Sequence, residues 1–407
     1  LQDEVAQWTW KNRRCREVED FKEPFLNLKT RQLESPDFLL FLITLILMTS
    51  GLIMIYSASA IMAHDQYGNS YYFFARQLLW ILVGSVAAWA VSRVELETLR
   101  ALAIPALLVG FALMALVCIP GIGRTVGGAQ RWFRLGPVSF QPSEVMKIIL
   151  VFYLADSLDR RRNLLVNFSG LMPYLVILGI TMVFLERQHD FGTAVLLALV
   201  TILMLFLAGM PWGYIIIPLS ILIPVFIFLV ESASYRMRRI TAFLNPWDDP
   251  QGAGFQLIQS LIAVGSGGPL GVGLSNSSQK LFYLPAPHTD FIFAIICEEL
   301  GLVGAGTLVA FFAFFILRGF KVAETVGARQ GGFFLFLLAS GITALIGFQA
   351  IVNLGVVTGL LPTKGIPLPL ISYGGSSMVF TLVSIGLLFN ISRGLKLPIP
   401  FSGKRTV

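Results

Sequence analysis

Residues 38–58 read FLLFLITLILMTSGLIMIYSA, about 20 residues without a charged side chain. A bilayer core about 30 Å thick takes about 20 apolar residues of helix to cross, so this run is a transmembrane helix by length and composition. It lies too far into the chain and is too long for the apolar segment of a cleaved signal peptide. Comparable runs follow at 74–92, 101–119, 142–156, 170–186, 192–209, 212–231, 291–317, 332–357 and 370–391. Together they predict an all-α polytopic membrane protein with about ten transmembrane helices. The flanks divide into a polar N-terminal segment, 1–36, a membrane domain, 37–393, and a short C-terminal tail, 394–407. The chain opens on Leu1, as processing, an engineered start or an alternative start codon would leave it.

Composition agrees. Of 407 residues 56% are hydrophobic and 13% charged, with a mean hydropathy of +0.76. Soluble domains carry roughly 25% charged residues, and so few charges cannot cover a water-exposed surface. The net charge of +7 does not indicate nucleic acid, because Lys and Arg cluster in the short segments between apolar runs. There they serve topology and lipid headgroups. Lys11, Arg13, Arg14, Arg16, Lys22, Lys29 and Arg31 precede the first run. Arg93 and Arg100, Arg160–Arg162, Arg318, Lys321 and Arg329, and finally Arg393, Lys396, Lys404 and Arg405 fall on the same side if the N-terminus is cytoplasmic. Both termini are then inside, as an even number of spans requires. Cys15, Cys118 and Cys297 form neither a disulfide framework nor a metal spacing.

On the opposite side, one connection stands apart. Residues 232–290, between the seventh and eighth spans, form a large extracytoplasmic loop rich in Gly, Pro and aromatics. Loops this long are commonly functional or disordered. A smaller outer loop, 120–141, carries Arg124, Arg131, Trp132 and Arg134.

Ionisable residues at or inside a membrane are costly and are functional candidates by default. Asp290 ends Pro285-Ala286-Pro287-His288-Thr289-Asp290 and stands at the outer mouth of the eighth span. It reads either as a helix N-cap or as a reactive carboxylate whose ionised form the helix dipole favours. Glu144 and Lys147, three apart behind Pro142, share one helix face. They are a structural ion pair or the charged lining of a cavity. Asp190, in Glu186-Arg187-Gln188-His189-Asp190, lies in a solvated turn or a polar site; with His189 it offers two metal ligands, and His288 adds a third only if the loops meet. Arg236, Arg238 and Arg239 suit a pyrophosphate by charge-assisted hydrogen bonds, or lipid headgroups. Asp248 and Asp249 precede Pro250 as a turn or a cation site. Gln259, Ser260, Lys280 and His288 are further polar candidates in the large loop. Residues 265–273 hold five glycines but have no phosphate-loop or dinucleotide spacing; they mark sharp turns with close backbone approach. After the ninth span, Pro362, Pro367 and Pro369 interrupt helix. Lys364 there either holds an anion or snorkels, and Gly374-Gly375-Ser376-Ser377 permits close packing.

Several of these stretches together resemble the SEDS family (shape, elongation, division and sporulation). They are Tyr56-Ser57-Ala58-Ser59, Gln141–Lys147, Asp190-Phe191-Gly192-Thr193, the block 235–300 and Leu361–Ser377. Asn245-Pro246-Trp247, Ser278–Pro285 and Glu298-Glu299-Leu300-Gly301 resemble the division-type branch more than the elongation or sporulation types. The resemblance implies ten helices and polymerisation of lipid II into peptidoglycan glycan strands, in the bacterial inner membrane at the division septum. It implies Asp290 as the essential aspartate, here read as a general base in an inverting transfer. Glu144, Lys147 and Asp190 follow as important polar residues, with Arg236, Arg239, Gln259, Ser260, Lys280, His288, Lys364, Ser376 and Ser377 as cavity or substrate-binding candidates. The implied ligands are lipid II and undecaprenyl-pyrophosphate-linked glycan. A divalent cation (Mg or Mn) is the one candidate cofactor. A class B penicillin-binding protein, other division-complex membrane proteins and membrane lipids are the implied partners. A lipid II flippase is the competing reading. One departure is local: His189 stands where the family often has proline.

Overall fold

The computed structural model describes residues 37–393 apart from 127, 137, 166, 212, 215, 217–219, 221–223, 225–233, 282–283, 285–286 and 364. The terminal segments 1–36 and 394–407, most of the expected span 212–231, Lys364 and the side chain of Arg236 therefore lie outside the described set. The described chain is helical: α1 Phe38–Tyr67, α2 Tyr72–Val91, α3 Leu96–Ala101, α4 Ala103–Val117, α5 Pro142–Arg160, α6 Phe168–Arg187, α7 Phe191–Leu207, α8 Ser234–Leu244, α9 Phe255–Ser266, α10 Ile292–Gly327, α11 Phe333–Val357 and α12 Gly375–Ser392. Every expected span other than 212–231 coincides with one of these helices. Among the described residues six are long and apolar enough to cross a membrane, namely α1, α2, α6, α10, α11 and α12; α4, α7 and α9 are apolar but shorter.

Local chemistry sets the boundaries. Asp37 caps α1 by accepting from the Leu40 amide at 2.9 Å. Its other oxygen takes Arg318 at 2.7 Å, tying the start of α1 to α10. Pro142 opens α5 at a position where its missing N–H costs nothing. The last span begins at Gly375 rather than near 370, because 358–363 and 365–374 are irregular chain containing Pro362, Pro367 and Pro369.

Two expectations need correction. The chain is not purely helical: the outer segment 120–141 folds into a three-stranded antiparallel sheet, β1 Arg124–Val126, β2 Ala129–Leu135 and β3 Val138–Phe140. Registers such as Thr125↔Gln130 and Arg134↔Ser139 join the hairpins. The expected large loop, 232–290, is also partly helical, since it contains α8 and α9.

α11 is the most buried of the long helices, and α5, α7, α10 and α12 pack around it. α2 lies against α12 so closely that a Cβ at Gly84 or Gly386 would meet Leu382 at 2.7 Å or the Ala88 carbonyl at 2.5 Å. Small residues permit such approach where no hydrophobic effect drives helices together. α10 is interrupted at Gly301, which has φ 66 and ψ −167. The break frees backbone groups, and the glycine-rich segment supplies their partners. Val272 and Gly273 amides donate to the carbonyls of Glu298 and Glu299, and Leu302 and Val303 amides donate to Gly268 and Pro269. The glycines at 267 and 271 thus approach a helix backbone rather than a ligand.

Candidate active site

Five segments converge on a cavity of about 520 Å³ at one end of the helix bundle. Four are helix beginnings: Gln141 and Glu144 at the start of α5, Asp190 and Thr193 at α7, Thr289 and Asp290 before α10, and Gly374–Ser377 at α12. The fifth is irregular chain at 365–367. The side wall comes from Arg76 and Trp80, one turn apart on α2, and from Arg124, Arg131 and Trp132 of the sheet. The sheet is fixed over the cavity where the Ser376 hydroxyl donates to the Ser139 carbonyl at 3.0 Å. Four helix N-termini facing one space add their partial positive charges to those of the arginines.

The floor is a buried charged pair. Lys147 Nζ lies 2.8 Å from Glu144 Oε2 and donates to Gln349 Oε1 at 3.0 Å. Gln349 passes the chain on by donating to the Pro367 carbonyl at 2.9 Å. Asp190 caps α7, accepting from the Thr193 amide at 3.3 Å and from Gln141 Nε2 and Ser143 Oγ at 3.0 Å each. The segment is therefore a buried cap rather than a solvated turn. His189 before it has φ 56, a value closed to proline. The departure from the family pattern thus changes the local turn while the carboxylate keeps its place on the cavity.

Asp290 is not an N-cap, since Phe291 occupies that position and no side chain caps α10. Its turn is held by three successive carbonyls. His288 O accepts from the Tyr373 amide at 2.9 Å, Thr289 O from Ser372 Oγ at 2.6 Å, and Asp290 O from Asn353 Nδ2 at 2.8 Å. Burial pushes the Asp290 carboxyl up to about 6, against the opposing pull of Arg131 and Arg239, with Asp190 adding to the rise. Such a group is ionised at neutral pH yet still basic enough to take a proton. Arg131 Nε is buried and has no hydrogen-bond partner, an orphan donor beside the same space.

Glu144, Lys147, Asp190, Asp290, Ser376 and Ser377 therefore share one cavity. Other candidates lie elsewhere. Lys280 is sealed against Glu299 at 2.9 Å. Ser260 Oγ donates to the Val357 carbonyl at 2.8 Å, fastening α9 to α11, and Gln259 is half-buried on α9 away from the cavity. Arg239 is exposed and reaches the Thr363 carbonyl at 3.4 Å. His288 packs between Phe73 and Tyr373, with ring centroids 4.4 and 5.4 Å away. Burial pushes its imidazole down to about 4, so it is neutral. Among the described residues no three His, Cys, Asp or Glu side chains gather where they could hold a metal ion, so His189, Asp190 and His288 do not form a centre.

Arg76, Trp80, Arg124, Arg131 and Trp132 were absent from the sequence-derived site. A lone arginine in the apolar stretch 72–91 is the signal that finds Arg76. Only the fold of 120–141 brings Arg124 and Arg131 over the cavity.

Comparison with known proteins places this geometry among relatives. The family described as cell cycle protein (FtsW, RodA, SpoVE) matches residues 37–397. The probable peptidoglycan glycosyltransferase FtsW of Geobacter sulfurreducens is 46% identical over 372 residues, 91% of this chain and 99% of the relative. Stage V sporulation protein E of Bacillus subtilis is 42% identical over 365 residues, 89% and 99% of the two chains. Among solved structures, a chain from work on the structural coordination of polymerization and crosslinking by a peptidoglycan synthase complex is similar at TM-score 0.72 and 31% identity, covering 88% of this chain and 98% of its own. The rod shape determining protein RodA of Thermus thermophilus follows at TM-score 0.64 and 26% identity, with 88% and 97% covered.

Proposed function

The chain belongs to the FtsW/RodA/SpoVE family, and from that premise we propose that it is a peptidoglycan glycosyltransferase polymerising lipid II during cell division. The observation that carries the reading is the single cavity joining Asp290 to three arginines, Lys147 and four helix N-termini. An anionic, membrane-anchored sugar substrate suits such a space.

In this reading the donor is the growing glycan on undecaprenyl pyrophosphate, and the acceptor is the 4-hydroxyl of the GlcNAc on incoming lipid II. Asp290 takes the hydroxyl proton as the oxygen attacks the donor anomeric carbon. The bond from that carbon to the pyrophosphate oxygen breaks, undecaprenyl pyrophosphate leaves, and an α linkage becomes β. Arg76, Arg124, Arg131 and Lys147 neutralise the leaving group, the electrostatic work that such sites do best when pre-organised. Trp80 and Trp132 offer flat apolar surfaces to the sugar rings. A Mg or Mn ion carried in with the pyrophosphate would draw its oxygen ligands chiefly from the substrate. No step here is assigned to it, because the described residues offer no cage of their own.

The membrane arrangement proposed with this function has ten spans and both termini in the cytoplasm. The cavity then faces outward, where the sugars of lipid II are delivered. A class B penicillin-binding protein crosslinks the strands, and the complex sits with other division proteins at the septum of the bacterial inner membrane. The FtsW relatives favour division over elongation or sporulation. A flippase is supported less well, because Glu144, Lys147, Asp190 and Asp290 gather on one cavity at one end of the bundle.

Purified protein with its class B partner, given lipid II in detergent, should make glycan strands, and Asp290→Ala should make none. Strands from Asp290→Ala at the wild-type rate would end the general-base reading. Lipid II translocation in vesicles, with no strands in detergent, would favour the transporter.

A further inference from the structure

α11 is the deepest helix of the bundle, yet it carries two buried amides one turn apart, Gln349 and Asn353. Polar groups at such depth are costly unless their hydrogen bonds are made. Asn353 uses both amide hydrogens on backbone carbonyls, Asp290 at 2.8 Å and Ile366 at 2.7 Å, and leaves its buried Oδ1 without a partner. Neither carbonyl belongs to a helix; both lie in the irregular segments that border the cavity. Gln349 treats the neighbouring carbonyl, Pro367, in the same way and accepts from Lys147. Ser372 is the second clamp: its hydroxyl donates to Thr289 O at 2.6 Å and accepts from the Leu368 amide at 2.8 Å. The backbone at 365–366 is thereby held against the aspartate, close enough that a Cβ at Gly365 would lie 2.8 Å from Asp290 Oδ2.

We propose that Asn353, assisted by Ser372, is a positioning residue that fixes the Asp290 turn to the 365–373 segment and so aims the carboxylate into the cavity. The inference rests on Asp290 being the base. Asn353 touches no reacting atom; it acts through the carbonyl of the residue that does. A bond serving only helix packing would join α11 to another helix. This one joins it to the two segments whose separation sets where the carboxylate sits. A misplacement of about 1 Å can cost about 100-fold in rate, so losing the clamp should lower turnover more than substrate binding.

The test uses full-length protein with its class B partner and lipid II. Asn353→Leu removes both donors at similar size. Asn353→Asp keeps the shape but sets an acceptor against two carbonyls. Ser372→Ala removes the second clamp alone. The expected result is a kcat reduced about 10- to 100-fold for the Asn353 variants and less for Ser372→Ala, with KM for lipid II changed little. The acid limb of the pH–rate profile should also move below the native one, because a loosened turn lets water reach the carboxylate. Arg131, Arg239 and Asp190 act on the charge of Asp290, and Arg76, Arg124, Glu144 and Lys147 line the same cavity; all are left in place. If Asn353→Leu does not yield monodisperse protein, Asn353→Asp and Ser372→Ala carry the test. Unchanged kcat would overturn the proposal, as would a parallel loss of kcat and lipid II binding with the acid limb unmoved. Asp290→Asn separates the two ideas. If it polymerises normally, the base reading fails; if it is inactive while the Asn353 and Ser372 variants turn over normally, only the positioning role fails.

Discussion

Two clusters of buried charge flank the first turns of α10, and they are built on opposite plans. On one side, the cavity holds Asp290 beside Arg131, whose Nε has no partner, and leaves space of about 520 Å³. On the other, Glu298 and Glu299 are closed over by protein. Glu298 accepts from Ser277 Oγ and from the amide and hydroxyl of Ser278, both at 2.9 Å. Glu299 accepts from Lys280 at 2.9 Å and from Ser57 at 2.6 Å. The sequence supplies both clusters with the same residue types. What separates them is room: in the seam every carboxylate is met by protein donors and the one orphan, Gln279 Oε1, faces no cavity described above, whereas Arg131 Nε is unmet next to open volume. Buried polar groups in proteins are nearly always satisfied, so an unsatisfied one beside a cavity points to a ligand, and a satisfied cluster points to architecture.

Substitutions on the two sides should therefore fail differently. The largest effect is expected from Asp290→Asn, which keeps size but removes the base. Polymerisation should fall by about 10²- to 10⁴-fold, the range for general-base catalysis, with little change in thermal stability in detergent. Wild-type activity should also decline with acid. The carboxylate must be ionised to act, and with its proton affinity raised to about 6 the rate should drop about tenfold per pH unit below that point. Activity that stays flat down to pH 5 would remove Asp290 from the chemistry.

Glu299→Gln, in the seam, should do the reverse. Removing one member of a buried pair leaves Lys280 uncompensated, and such changes cost about 3–5 kcal/mol of stability. Folded protein that survives should polymerise at near the native rate. Replacing both partners, Lys280→Met with Glu299→Leu, should recover part of the lost melting temperature, since no unpaired charge remains. A stable Glu299→Gln protein with no activity would show that the seam belongs to the site after all.

The same contrast explains what was legible in the sequence. Apolar runs report burial in lipid directly, so the helices were readable, as was the break ahead of Gly375 from its prolines. Glu144, Lys147, Asp190 and Asp290 were readable because charge inside a membrane is conspicuous. Lys280 shows the limit of that signal: conspicuous charge does not tell whether a partner closes over it, and Glu299 is close in sequence but meets Lys280 only because the 267–280 segment folds back on the α10 break. Arg124 and Arg131 were hidden in the opposite sense. They sit in a loop where arginine is ordinary, and only the pairing of β1, β2 and β3 turns them toward the cavity. Asn353 was visible as a polar residue in an apolar span, but its two carbonyl partners come from segments 63 and 13 residues away, which no periodicity reveals.

Arg131→Gln tests the open side more finely. Removing a guanidinium from beside Asp290 disfavours its ionised form, so the acid limb should shift upward from about 6. KM for lipid II should rise as well, by about tenfold for one lost charge-assisted contact. Lys280→Met, equally a lost cation but across α10, should leave the limb where it is. Equal shifts from the two would mean that distance and burial do not separate the clusters electrostatically.

The smallest effect is expected at Gly365. A methyl group there would lie 2.8 Å from Asp290 Oδ2, too near for an unmoved carboxylate. The obstructing atom is the end of a side chain rather than backbone, so Asp290 can rotate away at little cost in stability. Gly365→Ala should thus fold normally, bind lipid II normally and lose several-fold in kcat, on the order of 1 kcal/mol of transition-state stabilisation. The seam offers the matching control. A Cβ at Gly301 meets backbone of the 270–271 segment, and its φ of 66 with ψ −167 lies in a region essentially reserved for glycine, which adds about 1–3 kcal/mol from the conformation alone. Gly301→Ala should therefore lower the melting temperature and spare kcat in whatever folds. If Gly365→Ala instead lowers stability and leaves turnover untouched, the carboxylate is not held at the edge of the cavity, and the distinction between a finished seam and an unfinished site loses its strongest geometric support.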